Sequence, residues 1–192
     1  MKSIIRLLGI VLIASTLSSC GYNSMVEKRE AVSKQWANVE SAYQRRADLI
    51  PNIVSTVKGA ANFEQETLTK VIEARAKATS IQIDPSKLNE ADIKKFEDAQ
   101  NELKGSLSRL MVTVERYPEL KATEAFKELQ AQLEGTENRI NTERNRFNEA
   151  VNDYNAYIAQ FPAVITAKMF GFTSKGYFEA DKGSEKAPAV KF

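Results

Sequence analysis

Apolar residues recur along this chain at steps that alternate between three and four. From Tyr22 through Met25, Val32, Trp36, Val39, Tyr43, Ile50, Ile53, Val57 and Ala60 the alternation is unbroken once Arg29 and Arg46 are admitted to the series. A seam of that period keeps to one face of a helix and is the pattern of helices that supercoil. It predicts a first long helix over residues 22–60. Residues 123–160 repeat the pattern through Phe126, Leu129, Leu133, Thr136, Ile140, Glu143, Phe147, Ala150, Tyr154 and Tyr157, with Phe161 next in the series. A third helix over 90–116 carries Ile93, Phe96, Gln100, Leu103, Leu107, Leu110 and Val114, behind an Asn89 cap with Asp92 three residues on. A shorter one over 63–79, capped by Asn62, turns inward Leu68, Val71, Ile72 and either Arg75 or Ala78.

Gly59, "IDPS", "YPEL" and "FP" punctuate the chain between these helices. Amphipathic helices joined by short links predict an all-α fold, an elongated up-down-up-down four-helix bundle with coiled-coil-like helices. The first helix would be about 58 Å long at 1.5 Å per residue, and the last nearly the same. The bundle domain spans 20–161. Residues 162–192 form a tail without sustained helical period, yet rich in aromatics: Phe170, Phe172, Tyr177, Phe178 and Phe192. Such a tail either packs back on the bundle or leaves its C-terminus free as a peptide ligand.

The start of the chain sets the address. Lys2 and Arg6 precede a short apolar run, "LLGIVLIA", and then "STLSSC". This is a secretory leader over 1–19. The run is shorter than the roughly 20 residues of a membrane span, although an uncleaved anchor is the alternative. "LSSC" reads as a lipobox in which the Cys20 sulfur takes a diacylglycerol, with a palmitate-type chain to follow. Acyl chains at about 0.8 kcal/mol per buried CH₂ hold such a protein on the membrane. Gly21 follows, with no Asp as an inner-membrane signal, so a cell with two membranes would sort the chain to the outer one.

Composition narrows the chemistry. Cys20 is the sole cysteine, so no disulfide forms within the chain. There is no histidine, which removes the commonest metal ligand and general base. No metal, cofactor or catalytic set is expected. The chain has 27 Lys+Arg against 25 Asp+Glu, and loss of Lys2 and Arg6 with the leader balances them at 25 each. A nucleic-acid binder would carry a basic excess.

Two residues interrupt the first helix. Pro51 lies outside the seam, which continues through it. A bend in a long helix accounts for it, and a functional hinge is the alternative. Arg46 lies on the seam itself. Counted along the helices, Gln100, Glu137 and Glu73 fall near its height and Glu143 about one to two turns lower, with Gly135 and Thr136 leaving room. They predict a polar layer inside the bundle, since a buried arginine needs partners. The layer could fix helix register, hold an anion or sugar, or use its carboxylates as acid and base.

The same residues carry a resemblance. "QWANVESAYQRRADLIPNIVSTVKG", "EARAKA", "VERYPELKA", "LEGTENRINTERNRFNEAVNDYNAYIAQFP", "FGF" and "YFEA" resemble the LemA family from about residue 25 to the end. The resemblance implies a helical bundle held on a membrane outside the cytoplasm, with no established activity and no catalytic residues to transfer. It also implies an envelope partner, such as a neighbouring membrane metallopeptidase. The family's usual N-terminal membrane helix is replaced here by the lipobox. Together these features predict a non-enzymatic, lipid-anchored scaffold or interaction element of the bacterial cell envelope. An envelope ligand-binding module built on the Arg46 layer is the alternative, and a carboxylate hydrolase a third.

Overall fold

The computed structural model describes residues 2–59 and 63–179, with side chains from residue 21 onward. Every regular element among them is helical: α1 (Lys2–Lys58), α2 (Gln65–Ser80), a 3₁₀ turn (Pro85–Lys87), α3 (Glu90–Val114), α4 (Pro118–Ala122), α5 (Glu124–Ala159) and α6 (Ala163–Phe170). Residues 172–179 follow α6 as a strap without regular structure. The Cys20 side chain, Ala60, Asn62 and residues 180–192 lie outside what is described.

Pairings across the helices set their directions. Lys28, Gln35, Trp36 and Arg46 of α1 meet Tyr157, Glu143, Phe147 and Glu137 of α5, so numbers fall on one helix as they rise on the other. Arg116 beyond α3 meets Glu64 before α2, and Gln100 meets Ala78, so α2 and α3 also run in opposite senses. Trp36 with Phe96 and Arg46 with Gln100 place α3 parallel to α1.

The core has two parts. One gathers Trp36, Phe96, Phe147, Tyr154 and Phe178 with Met25 and Val32, and the other gathers Ile50, Ile53, Val57, Leu68, Leu103, Leu110 and Phe126. The polar Arg46 sits in sequence between the α1 contributions to the two. The seams of α1 and α3 are buried nearly as read. In α3, Asn89 is the N-cap, its side chain accepting from the Asp92 backbone N–H at 2.9 Å.

The departures have local causes. Helix α2 starts at Gln65 behind Glu64, which makes no side-chain cap. Its buried face is Leu68, Val71, Ala74 and Ala78, so Ile72 is exposed. A straight 3.6-residue helix outruns the extrapolated seam. In the second half of α5 the seam residues Glu143, Phe147 and Tyr154 are buried, but so are Arg144, Val151 and Ile158 beside the seam, with Ala150 and Tyr157 only half-buried. There α6 and the strap cover a second side of the helix. Phe161 is 82% exposed instead of core, because α5 has already ended and the residue before a proline avoids helical geometry. Tyr22 is partly exposed, with its ring 5.0 Å from that of Phe170. The tail contains a helix, α6, and "YPEL" holds the short α4; neither was expected.

Helix α1 runs through Pro51, which is exposed on its outer side. A proline cannot donate to the carbonyl four residues back, here Ala47, which is buried. Arg75 of α2 fills that role: its Nε donates to the Ala47 oxygen at 2.8 Å. The interruption in one helix thus becomes a hydrogen bond to the next. Arg75→Met is expected to lose about 1–3 kcal/mol by orphaning the carbonyl. In a Pro51→Ala background the same change should cost clearly less, since the alanine would supply the missing N–H. Equal losses by urea denaturation in both backgrounds would show that the two residues act independently.

Candidate functional site

Arg46 is 2% exposed, at the level where α1, α3 and α5 meet. Its Nη1 donates to Glu137 Oε1 at 2.6 Å, and its Nη2 to Gln100 Oε1 at 2.7 Å and to the Gln100 carbonyl at 3.2 Å. Gln100 Nε2 in turn donates to the Ala78 carbonyl in the last turn of α2. The layer therefore ties all four long helices, closing one of the orphan carbonyls of a helix end. Arg46 also lies over the Tyr43 ring at 5.1 Å. Glu137 faces outward on its other side, with Lys104 at 3.9 Å. Thr136 is buried beside it, its hydroxyl turned to the Leu133 carbonyl.

Two residues expected in this layer are elsewhere. Glu73 is exposed on α2, because Val71 and Ala74 take the inner face. Glu143 is buried to 1% exposure but belongs to a second group, with Gln35, Arg139 and Arg146 within 3.1 Å. Six residues beyond Glu137, it is nearly two turns along α5, too far to share the guanidinium. The carboxylates are thus divided among separate cations, and no group of three or more metal-ligating side chains occurs among the described residues.

A third polar group was missed at the level of sequence. Arg144 Nη2 donates to Glu97 Oε1 at 2.5 Å and to the Glu179 carbonyl at 2.6 Å, and its guanidinium lies over the Phe178 ring at 5.0 Å. Beside it Asn148 takes both backbone groups of Phe178, at 2.9 Å each, and Asn155 takes both of Lys175, at 2.8 and 2.9 Å. An asparagine amide matches a peptide unit donor to acceptor, so the strap is held without a neighbouring strand. Lys175 is buried, with its Nζ donating to the Ser86 carbonyl, and desolvation lowers its pKa. Phe178 fills a box of Trp36, Phe96 and Phe147, stacked on Trp36 at 6.0 Å. Gly176 passes so close to α3 that an added Cβ would lie 2.7 Å from the Glu90 backbone. The signal for this clamp was Asn148 and Asn155, seven residues apart on one helix face beside an apolar seam.

Next to the Arg46 layer is a cleft of about 290 Å³ lined by Glu40, Tyr43, Gln44, Phe96 and Gln100 among others. Burial raises the Glu40 carboxyl above its ordinary value, an effect the Trp36 indole N–H partly offsets. That contact falls short of a full hydrogen bond, and Trp36 Nε1 and Arg46 Nε have no hydrogen-bond partner among the described residues. A raised carboxyl favours the folded state while protonated, and that contribution fades as pH rises through the folded value. Glu40→Gln should therefore melt above the wild type at pH 7. The difference should vanish below the unfolded value of roughly 4.3. A variant melting below wild type at pH 7 would count against burial as the cause.

Fold and site define a class: an all-helical body whose buried arginines, Arg46 and Arg144, are paired with carboxylates of other helices. The family model for the LemA family matches residues 35–192. This chain belongs to the LemA family. It is similar to Protein LemA of Metamycoplasma hominis, 22% identical over 160 residues that cover 83% of this chain and 69% of the relative. Magnetosome protein MamQ 2 of Paramagnetospirillum magneticum is 27% identical over 205 residues, covering 97% of this chain and 74% of the relative. Magnetosome protein MamQ of Magnetospirillum gryphiswaldense is 25% identical, with the same two coverages. LemA family proteins are not known as enzymes.

Proposed function

We propose that this protein is a lipid-anchored scaffold or interaction element of the bacterial cell envelope, built as an up-down-up-down four-helix bundle and without enzymatic activity. One observation carries the reading. Its buried guanidiniums and carboxylates are engaged within the chain: Arg46 with Glu137 and Arg144 with Glu97 across helices, and Glu143 with Gln35 of α1 and with the exposed Arg139 and Arg146 of its own helix. Acid–base catalysis needs carboxylates grouped around a reacting bond and free to exchange protons, whereas these fix helices in register. The "LSSC" sequence supports the tether at Cys20, and an envelope protein, such as a membrane metallopeptidase, is the partner proposed. Among the described residues no helix is long and apolar enough to cross a membrane.

Two measurements test this. Cys20→Ala should abolish lipid labelling and either release the protein from membrane pellets or stall it as a precursor. Crosslinking in intact cells should recover one reproducible envelope partner with the wild type; recovery of none would sink the scaffold reading. The cleft beside Glu40 favours a second reading, an envelope ligand-binding module, because Glu40, Ser41, Gln44 and Gln100 bring polar side chains to one open cleft. A glycan fragment that raises the melting temperature of wild type but not of Glu40→Gln would favour it.

A further inference from the structure

Helix α6, "AVITAKMF", contains one charged residue, Lys168. Ala163 and Ala167 face inward and pack with Met25 in the core. The outward side carries Ile165 and Met169, preceded by Phe161 and joined by Phe170, all exposed, Met169 to 72%. Ile165 and Met169, four apart on α6, form one row, and Phe161 stands just ahead of the helix. A helix that is apolar on every side is ordinarily buried in a protein or in a membrane.

This is a patch, not scatter. Tyr22, Phe161, Ile165, Met169 and Phe170 are five of the eight large apolar side chains left exposed among the described residues; the others, Ile72, Val112 and Tyr177, lie apart. Single exposed apolar side chains are normal, whereas a cluster marks an interaction surface. Its position says which. The Tyr22 ring touches Phe170 at 5.0 Å and Phe172 at 5.7 Å, so the patch begins two residues from Cys20, where the apolar leader joins the body. Its charge agrees. Residues 160–178 contain Lys168 and Lys175 and no acid. Lys168 is exposed, and its long stem lets the ammonium reach phosphate while its neighbours enter the acyl boundary.

We propose that α6 is a membrane-surface helix: its Ile165, Met169 and Phe170 side chains, with Phe161 just ahead of it, rest in the headgroup–acyl boundary of the bilayer that holds the N-terminal anchor. The proposal rests on the anchored reading above. It gives the helical body a second point of attachment beside the tether, which sets its orientation on the membrane.

The test uses full-length, lipidated protein in vesicles of phosphatidylethanolamine and phosphatidylglycerol. Acylation of Cys20 leaves no free thiol, so Ile165→Cys, Met169→Cys and the reference Val112→Cys can each take a polarity-sensitive fluorophore. On membranes the labels at 165 and 169 should shift to the blue and lose emission to spin-labelled acyl chains, and the label at 112 should do neither. Emission at 165 and 169 like that at 112, in protein that floats with the vesicles, overturns the proposal and leaves the anchor standing. A blue shift that grows with protein concentration but is untouched by spin-labelled lipid overturns it in favour of a second copy on this face. Failure of the lipidated wild type to float removes both the anchor and the inference.

Discussion

Glu137→Leu is expected to be far more destabilising than Arg46→Met, although each removes one half of the same ion pair. The asymmetry follows from burial. The Arg46 side chain is 2% exposed and that of Glu137 29%. Without Glu137, the guanidinium keeps only the neutral Gln100 and remains in the core as a charge without a counter-ion. Breaking a buried pair this way costs about 3–5 kcal/mol, a large part of the roughly 5–15 kcal/mol that holds a typical domain together. Without Arg46, the carboxylate turns to water and to Lys104, already 3.9 Å away. The loss is then the hydrogen bonds and the Tyr43 stacking, about 1–3 kcal/mol. The double variant should recover most of the Glu137→Leu loss, because an apolar pair of similar volume needs no desolvation. Urea denaturation of the three variants measures this. Equal losses for the two single variants would mean that water reaches Arg46 and that the layer is open.

Gly176→Ala should release the strap. The added methyl would meet the Glu90 Cα and N at 2.7 Å and the Asn89 carbonyl carbon at 2.9 Å, all backbone at the start of α3. Backbone held by a helix cap cannot give way as a flexible side chain does. Moving the strap instead withdraws Phe178 from its box and breaks the Asn148 and Asn155 clamps on either side. The expected loss is about 3 kcal/mol, the lower end for emptying a buried phenylalanine site. Limited trypsin digestion gives a readout independent of global stability. Lys175 is buried in the wild type and should resist cleavage, whereas in Gly176→Ala it should be cut as fast as in an unfolded peptide. Gly105→Ala is the control. Nothing lies within 4 Å of its added methyl in mid-α3, so it should stabilise the protein by about 1 kcal/mol. Slow cleavage at Lys175 in Gly176→Ala would show that α3 shifts to accommodate the methyl.

Much of the helical content was legible because it depends on period alone. Each seam residue of α3 that the three-four alternation selects is buried, and so are Met25, Val32, Trp36, Val39, Tyr43, Ile50, Ile53 and Val57 of α1. Arg46, Gln100 and Glu137 could be brought together by counting rise along antiparallel helices, since 1.5 Å per residue is a property of the backbone whatever its neighbours. The breakers were also readable, because Pro and Gly act locally.

Only tertiary structure decided the rest. Glu73 and Glu143 were placed with Arg46 by height, but height does not specify rotation about the helix axis. Packing sets that rotation and turned Glu73 outward, whereas Glu143 lies nearly two turns from Glu137 and meets Gln35 of α1 instead. Arg75 looked like a seam residue and proved to be the donor for a carbonyl that Pro51 of another helix leaves vacant. The clamp of Asn148 and Asn155 on the strap joins residues 20 and 30 positions apart, with no repeat to announce it. Periodicity along the chain determined which residues face inward. Which polar residue meets which is a question of three-dimensional neighbours, and for this protein it was settled by how the helices and the strap after α6 pack against one another.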